Sequence, residues 1–518
     1  MTDSLIKSLQ NPQFYPHETE SIQVIQTHIS WVILTGPYAY KIKKPVNFGF
    51  LDFTSLANRK HFCEQELKLN QRLTDNLYLE VLPITGSVQQ PELDGSGPVL
   101  EYALKMRQFP QDQLLSQLQQ RNQLNSSHID ALGAQIAAFH LAAPEVAATH
   151  QLCSLDAVIA PMRQNFEQIR PLLDDAADLQ QLDALHTWTE DSFNRLSPLL
   201  EQRVRNGSIR ECHGDIHLNN ATILDGKVVL FDCIEFNEHF RLIDIANDAA
   251  FLAMDLEDRG RHELANRFIN AWIEQTNQYE ALPLLDFYKA YRAMVRAKVS
   301  LLSLNADTTD SERAAIMAAY RSYANLAESY CAIPKRVLAI TYGTSAIGKS
   351  TVAMQLVEQL GAIRIRSDIE RKRIFGQQPE QHKNQLNTGI YSADASLATY
   401  QRVHGLALQV LQAGKPVVID ATYLRHHQRE HASEIAQQAG VPFLILSCHA
   451  PDAVVAQWLQ QRQQEGTDPS DANMDVIHAQ QQSREPLNQQ ELKSAISIDT
   501  SDSNAISSLV ALIRKQYS

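Results

Sequence analysis

The chain has 518 residues, a formal net charge of −13, and 44% hydrophobic against 20% charged residues. That is an ordinary globular composition, long enough for more than one core. The acidic balance argues against non-specific binding to nucleic acid or an anionic membrane, while leaving room for a local basic site. The six cysteines form no C-x-x-C pair, so neither a zinc module nor a disulfide framework is suggested. No apolar run reaches the length of a membrane span, and the first residues lack the charged-then-apolar pattern of a leader. The expectation is a cytoplasmic protein that makes no membrane contact.

The chain opens with short β-like runs. Residues 22–27 and 30–34 precede a Thr35-Gly-Pro turn, and Tyr38 to Lys43 follows. Runs joined by tight turns predict an antiparallel sheet. A helix is expected over about 55–73, with further strands near 79–84 and 99–108. From 126 to 200 the pattern is helical, and the Gln-rich stretches at 111–123, 457–464 and 480–482 read as solvated helix faces. A β-rich island covers 221–233. Helices resume from 244 to about 330.

The segment His213-Gly-Asp-Ile-His-Leu-Asn-Asn220 carries Asp215 and Asn220 five residues apart, and Asp232 closes the hydrophobic run Val228-Val-Leu-Phe-Asp. This is the spacing of a phosphoryl-transfer centre. One Asp accepts the proton of the attacking hydroxyl, and an Asn and a second Asp hold the metal ions that bridge the phosphates. Asp215, Asn220 and Asp232 fit those roles. His213 and His217 form a His-x-x-x-His pair that metals also use, but the neighbouring carboxylates and amide favour the phosphoryl reading.

His-Gly-Asp-x-His-x-x-Asn followed by a strand ending in Asp resembles the aminoglycoside phosphotransferase family, over roughly residues 20–325. The resemblance implies a protein-kinase-like α+β domain with a small β lobe, a helical lobe and ATP between them. It also implies that the first His supports the catalytic loop and that a further, supporting Asp follows the metal Asp in the chain, for which Asp244 is the candidate. A kinase-like fold needs a strand Lys on the α/β-phosphates and a helical Glu to orient it. Lys41 and Lys43 share a strand face. Lys41 is the candidate nucleotide ligand, with Glu64 or Glu66 as partner. The turn Thr27-His-Ile-Ser30 lacks the glycines of a protein-kinase phosphate loop, which keeps open a nucleotide-gated regulatory protein with one pseudokinase domain.

Cys331-Ala-Ile-Pro-Lys335 reads as a junction, with Pro334 ending the preceding helix. It divides the chain into domains 1–332 and 333–518. Beyond it, strands are expected at 337–342, 362–366, 416–420, 442–448 and 495–498, alternating with helices, as in a parallel α/β sheet. Gly343-Thr-Ser-Ala-Ile-Gly-Lys-Ser350 matches G-x-x-x-x-G-K-[ST] at every fixed position. Backbone N–H groups from Gly343, Thr344, Ser345, Ala346, Ile347, Gly348 and on to Thr351 would cradle phosphates at a helix N-terminus. Lys349 would reach the β/γ-phosphates and Ser350 would hold Mg²⁺.

Downstream, Asp368 and Arg371 lie three apart on one helical face. Asp368 is placed to take a proton from a substrate hydroxyl, and Arg371 to hold substrate. Val417-Val-Ile-Asp420 reads as a buried strand whose Asp420 joins the metal shell. Arg425 follows at the strand's carboxyl end, where ligands gather. Arg462 opens an expected lid helix over ATP. This order resembles small P-loop kinases, a group that includes gluconate-kinase-like enzymes and polynucleotide 5′-hydroxyl kinases. It implies transfer of the ATP γ-phosphate to a hydroxyl, without naming the acceptor. The expected protein is therefore a two-domain, ATP- and Mg²⁺-using phosphotransferase acting on a hydroxyl-bearing small molecule. A polynucleotide 5′-kinase activity of the second domain, suggested by the basic run 364–373, is the less favoured alternative.

Overall fold

A computed structural model describes the whole chain except residues 1, 20, 50, 306, 333–334, 377–389, 391, 466–473 and 518. The expected junction at Pro334 lies outside the described residues. The chain forms two compact units, one from Met1–Leu256 with Phe287–Ala327, the other from Glu257–Asp286 with Glu328–Ser518. The segment 257–286, N-terminal to the sequence boundary near 333, thus clusters with the C-terminal sheet.

The first unit holds a small β lobe and a helical lobe, a protein-kinase-like α+β arrangement. Six antiparallel strands make the sheet: β1 (Gln23–Gln26), β2 (Ser30–Leu34), β3 (Tyr38–Lys43), β4 (Tyr78–Gly86), β5 (Pro91–Leu93) and β6 (Val99–Arg107), in the order β1-β2-β3-β6-β4-β5. Strand alternation sorts β3. Tyr40 and Ile42 face a cluster of Leu9, Trp31, Ile33 and Ile84, and Lys41 and Lys43 face the other way. The helix Leu56–Asn70 lies on that second side, started by Ser55, whose hydroxyl accepts from Asn58 N at 3.0 Å. The helical lobe carries two short antiparallel pairs, β7 (Ile209–Glu211) with β10 (Leu242–Asp244) and β8 (Ala221–Leu224) with β9 (Lys227–Leu230). The helix Ile245–Asp258 follows, and residues 245–256 of it are buried throughout.

The second unit is a parallel sheet in the order β12-β13-β11-β14-β15, formed by β11 (Leu338–Tyr342), β12 (Ile363–Arg366), β13 (Val417–Asp420), β14 (Phe443–His449) and β15 (Ala495–Asp499). This is the P-loop α/β architecture. Every residue of the central strand β11 is buried, as a strand covered on both faces requires. The chain leaves β11 toward neighbours on either side, so the ends of β11 and β13 form the switch point where such sheets bind ligands. The helix His262–Thr276 belongs to this unit. Asn270 Oδ1 accepts from Arg364 N at 2.7 Å, and Arg267 pairs with Glu358 at 2.7 Å. No described helix is long and apolar enough to cross a membrane.

Candidate active sites

In the first unit, β3 and the helix Leu56–Asn70 bring Lys41 against Glu66. Lys41 Nζ donates to Glu66 Oε1 at 2.7 Å and to Asp232 Oδ1 at 2.6 Å. Glu66 is fully buried. Burial opposes its charge, but Lys41 and Lys43 prevail and lower its pKa from 4.5 to about 2. Burial likewise opposes the charge on Lys41, and Asp232 and Glu66 more than reverse this. Asp232 stands two residues beyond β9 with φ +66°, a left-handed conformation rare for a side-chain-bearing residue. Its backbone N–H donates to Tyr78 Oη at 3.1 Å. Backbone held in such a region is concentrated at functional sites.

The loop from His213 to Asn220 is held from below by two carboxylates on the buried helix Ile245–Asp258. Asp248 Oδ2 accepts from His213 N and Asp248 Oδ1 from Gly214 N, both at 2.9 Å, and Asp255 Oδ2 accepts from Leu218 N at 2.9 Å. Seven residues is two helical turns, so the two carboxylates meet the loop along one face. His140 Nε2 lies 3.2 Å from Asp248 Oδ2. Burial works against the Asp248 charge, but His140, His213 and Arg292 hold its pKa below the usual carboxylate value. His213 also contacts Phe231 O through Nε2 at 2.9 Å, which links the loop to the strand that delivers Asp232. Above this frame, Asn220 Nδ2 donates to Asp215 Oδ2 at 3.1 Å and to Asp215 O at 3.0 Å. His217 Nε2 lies 3.3 Å from Asp215 Oδ2. Burial would raise the Asp215 pKa, but His217, His213 and Arg296 hold it well below the ordinary range, so Asp215 is a carboxylate at neutral pH.

In the second unit, Gly343 to Ser350 joins β11 to the helix Lys349–Leu360. Gly348 caps that helix with φ +80°. A Cβ there would stand 2.9 Å from Thr500 Cβ, so the position needs glycine on two counts. Lys349 is buried and donates to Thr344 O, folded back over its own loop. Ser345 N donates to Gln480 Oε1 at 2.7 Å, and Gln480 Nε2 to Ser345 Oγ at 3.1 Å. Asp420 ends β13 opposite Arg366 of β12. Burial raises the Asp368 pKa, with Arg371 opposing, Asp420 adding and Lys349 opposing. Asp368 thus senses the charges of Arg371, Asp420 and Lys349.

Residues 56–288 match the phosphotransferase enzyme family, and residues 338–487 match a family described as an AAA domain. The chain joins an aminoglycoside phosphotransferase-like domain to a P-loop kinase-like domain. Uncharacterized proteins of Mycobacterium bovis and Mycobacterium tuberculosis are 28% identical over 440 residues, 84% of this chain and 85% of theirs. Solved structures similar to this chain include three kinases. An amicoumacin kinase in complex with AMP-PNP and Ca²⁺ is 13% identical, over 62% of this chain and 93% of its own, with a TM-score of 0.39. A choline/ethanolamine kinase family protein from Mesorhizobium loti is 11% identical, over 64% and 97%, with a TM-score of 0.40. A gluconokinase from Sinorhizobium meliloti, 16% identical, covers 36% of this chain and 99% of its own with a TM-score of 0.24.

In the phosphotransferase-like domain the structure brings together Lys41, Glu66 and Asp232, and separately Asp215 with Asn220. Glu64 is not the lysine's partner. It lies on the exposed side of its helix, 3.7 Å from Lys60. Asp244 does not stand behind the catalytic loop. It is buried in a two-bond pair with Arg203, at 2.6 and 2.7 Å, and Asp248 supports the loop instead. The sequence held a signal for this: an Asp inside the apolar run Ala249-Ala-Phe-Leu-Ala-Met and its flanks must be bonded if buried. Glu235, paired with Lys43, was also missed.

In the P-loop domain, Arg371 donates to Ile390 O at 2.8 Å and lies 3.4 Å from Ser396 Oγ. Arg425 stands at the N-cap position of the helix His426–Ala439 and pairs with Glu485 at 3.3 Å on the exposed surface. Arg462 belongs to the helix Asp452–Glu465, and its side chain lies outside the described residues. Gln480, read from sequence as part of a solvated face, meets the phosphate-binding loop at Ser345, as Thr500 does at Ile347. Arg484 was also missed. Its Nε donates to Tyr342 Oη at 2.7 Å, and its guanidinium lies 4.5 Å from the Tyr342 ring centre at the end of β11.

Proposed function

We propose that each domain transfers the γ-phosphoryl group of ATP to a hydroxyl of a small molecule. The observation that carries this reading is the bridge made by Lys41 between Glu66 at 2.7 Å and Asp232 at 2.6 Å, across 191 residues of sequence in the second contact. Kinase-like transfer needs this lysine and carboxylate assembled with the metal-site Asp, and a pseudokinase has no need to keep them in register. In the phosphotransferase-like domain, Lys41 would hold the α/β-phosphates and Asp215 would orient and accept from the acceptor hydroxyl. In the P-loop domain, the backbone from Gly343 to Thr351 and Lys349 would hold the phosphates. Asp368 would be the base there, and burial moves its pKa toward working pH, as a general base requires. Arg371 would hold substrate. Arg425 and Arg462 remain proposed ligands of substrate and transition state.

The donor sets fit Mg²⁺. Asp232 and Asn220 offer only oxygens once Asn220 turns its Nδ2 to Asp215, and Ser350 with Asp420 does the same in the P-loop domain. Bound there, the ion would neutralise charge on the phosphates. The test is a screen of hydroxyl-bearing metabolites with labelled ATP, using the full chain, Asp215→Ala, Asp368→Ala and the double variant. Each single change is expected to abolish labelling of one set of acceptors. Undiminished labelling by the double variant contradicts the proposal.

A further inference from the structure

Lys43 and Glu235 take no part in the phosphate and metal contacts proposed above, yet they continue the same chain of charges inward. Asp232, Lys41, Glu66, Lys43 and Glu235 form an unbroken alternating line. Lys43 Nζ donates to Glu66 Oε2 at 2.6 Å and contacts Glu235 Oε1. The line runs from half-exposed to interior, with the side chain of Asp232 40% exposed, Glu66 0% and Lys43 1%. Lys43 also stands 4.9 Å from the Phe53 ring centre. Each oxygen of Glu66 therefore has its own lysine. A kinase-like lysine needs only one carboxylate and that carboxylate only one lysine, so the second lysine asks for an explanation.

The explanation lies in what nucleotide binding demands. Lys41 and a metal ion compete for Asp232, so Lys41 must release Asp232 and turn to phosphate when both arrive. A carboxylate held by Lys41 alone would be drawn after it. We propose that Lys43, anchored by Glu235, is a positioning residue that fixes the second oxygen of Glu66, so that Lys41 exchanges Asp232 for phosphate without losing its own anchor. This rests on the Lys41 site being a nucleotide site. The groups facing Glu66 are Lys41 and Lys43 from β3, Cys63 on its own helix, Tyr78 from β4, and Asp232 and Glu235 after β9. Among the described residues the two lysines are the groups that favour its charge, so removing one leaves a buried carboxylate with half that support.

The test uses the full chain carrying Lys349→Ala, which silences the P-loop site, and Mg-ATP as the probe by calorimetry. Lys43→Met/Glu235→Gln removes the cation together with the carboxylate it neutralises, and Lys43→Gln/Glu235→Gln is the second variant if the first does not melt cooperatively. The expected result is cooperative melting with an Mg-ATP affinity reduced by about tenfold. The conservative Lys43→Arg, which keeps a cation on the second oxygen of Glu66, should retain most of the parental affinity, as a positioning role requires. A folded variant with parental affinity overturns the proposal. So does a Lys43→Arg protein no better than the double variants, which would be lost packing, and so does failure of both variants to fold, which would make the cluster purely structural. Lys41→Ala in the same background separates the two levels. If it does not weaken Mg-ATP binding, the nucleotide reading of the domain fails; if it does while the Lys43 variants do not, only the positioning role fails.

Discussion

Replacing Asp248 by Asn tests how the catalytic loop is held. The carboxylate accepts His213 N and Gly214 N on different oxygens, both at 2.9 Å. An amide has one oxygen, so one of these N–H groups must face an NH₂ group instead. A hydrogen bond to a charged acceptor contributes about 1.5–3 kcal/mol, and a stranded buried donor costs about 1–3 kcal/mol. The expected loss is therefore about 3 kcal/mol, which for a unit of about 300 residues lowers its melting temperature by roughly 5 °C. Scanning calorimetry reads the shift. Asp225→Asn is the control. Asp225 is 63% exposed and pairs with Arg107 on the surface, where such pairs are worth less than about 1 kcal/mol. Asp215 lies one residue beyond Gly214, so the Asn variant should also lose turnover in that domain. An Asp248→Asn protein that melts as the control does would refute the assignment of loop support to this residue.

The folded pKa of Glu66, about 2 against 4.5 unperturbed, means its pairing stabilises the domain fully above pH 4.5. That contribution, on the order of 3 kcal/mol, is lost as pH falls through this window. Denaturant titrations of wild type and Glu66→Gln should therefore converge on acidification, and parallel curves would count against the pairing. Gly348→Ala forces a left-handed alanine whose Cβ meets Thr500 Cβ at 2.9 Å. Mg-ATP affinity of the P-loop domain, read in a Lys41→Ala background, should fall at least about tenfold, and parental affinity would show that the loop tolerates the change. A fragment of residues 333–518 lacks the helix His262–Thr276 and with it the Asn270–Arg364 and Arg267–Glu358 contacts. It should fail to melt cooperatively, and a folded fragment with full nucleotide affinity would show those helices to be dispensable.

Local patterns carried much of the fold. The β3 run, the helix over Glu66 and all five strands of the parallel sheet lie close to where periodicity and turn residues put them. The pairing of candidate site residues was legible where the spacing lies within one segment, as between Asp215 and Asn220. What was not legible depends on contacts between distant segments. Nothing near Glu64 or Glu66 says which one faces β3. The choice between Asp244 and Asp248 turns on Arg203, which takes Asp244 from 41 residues away. The attachment of 257–286 to the P-loop domain is invisible to a composition boundary, because Asn270 and Glu274 resemble any exposed helix residues until Arg364 is placed beside them. Gln480 shows the same limit, since a Gln-rich face reads as solvated whether or not one member meets the phosphate loop.

The central claim is that one chain carries two independent nucleotide sites. Calorimetric titration of the full chain with a non-hydrolysable Mg-ATP analogue tests it most directly. Two sites per chain are expected, with Lys41→Ala and Lys349→Ala each removing one and the double variant removing both. A single site in the wild type, or a substitution that leaves the stoichiometry unchanged, would contradict the account.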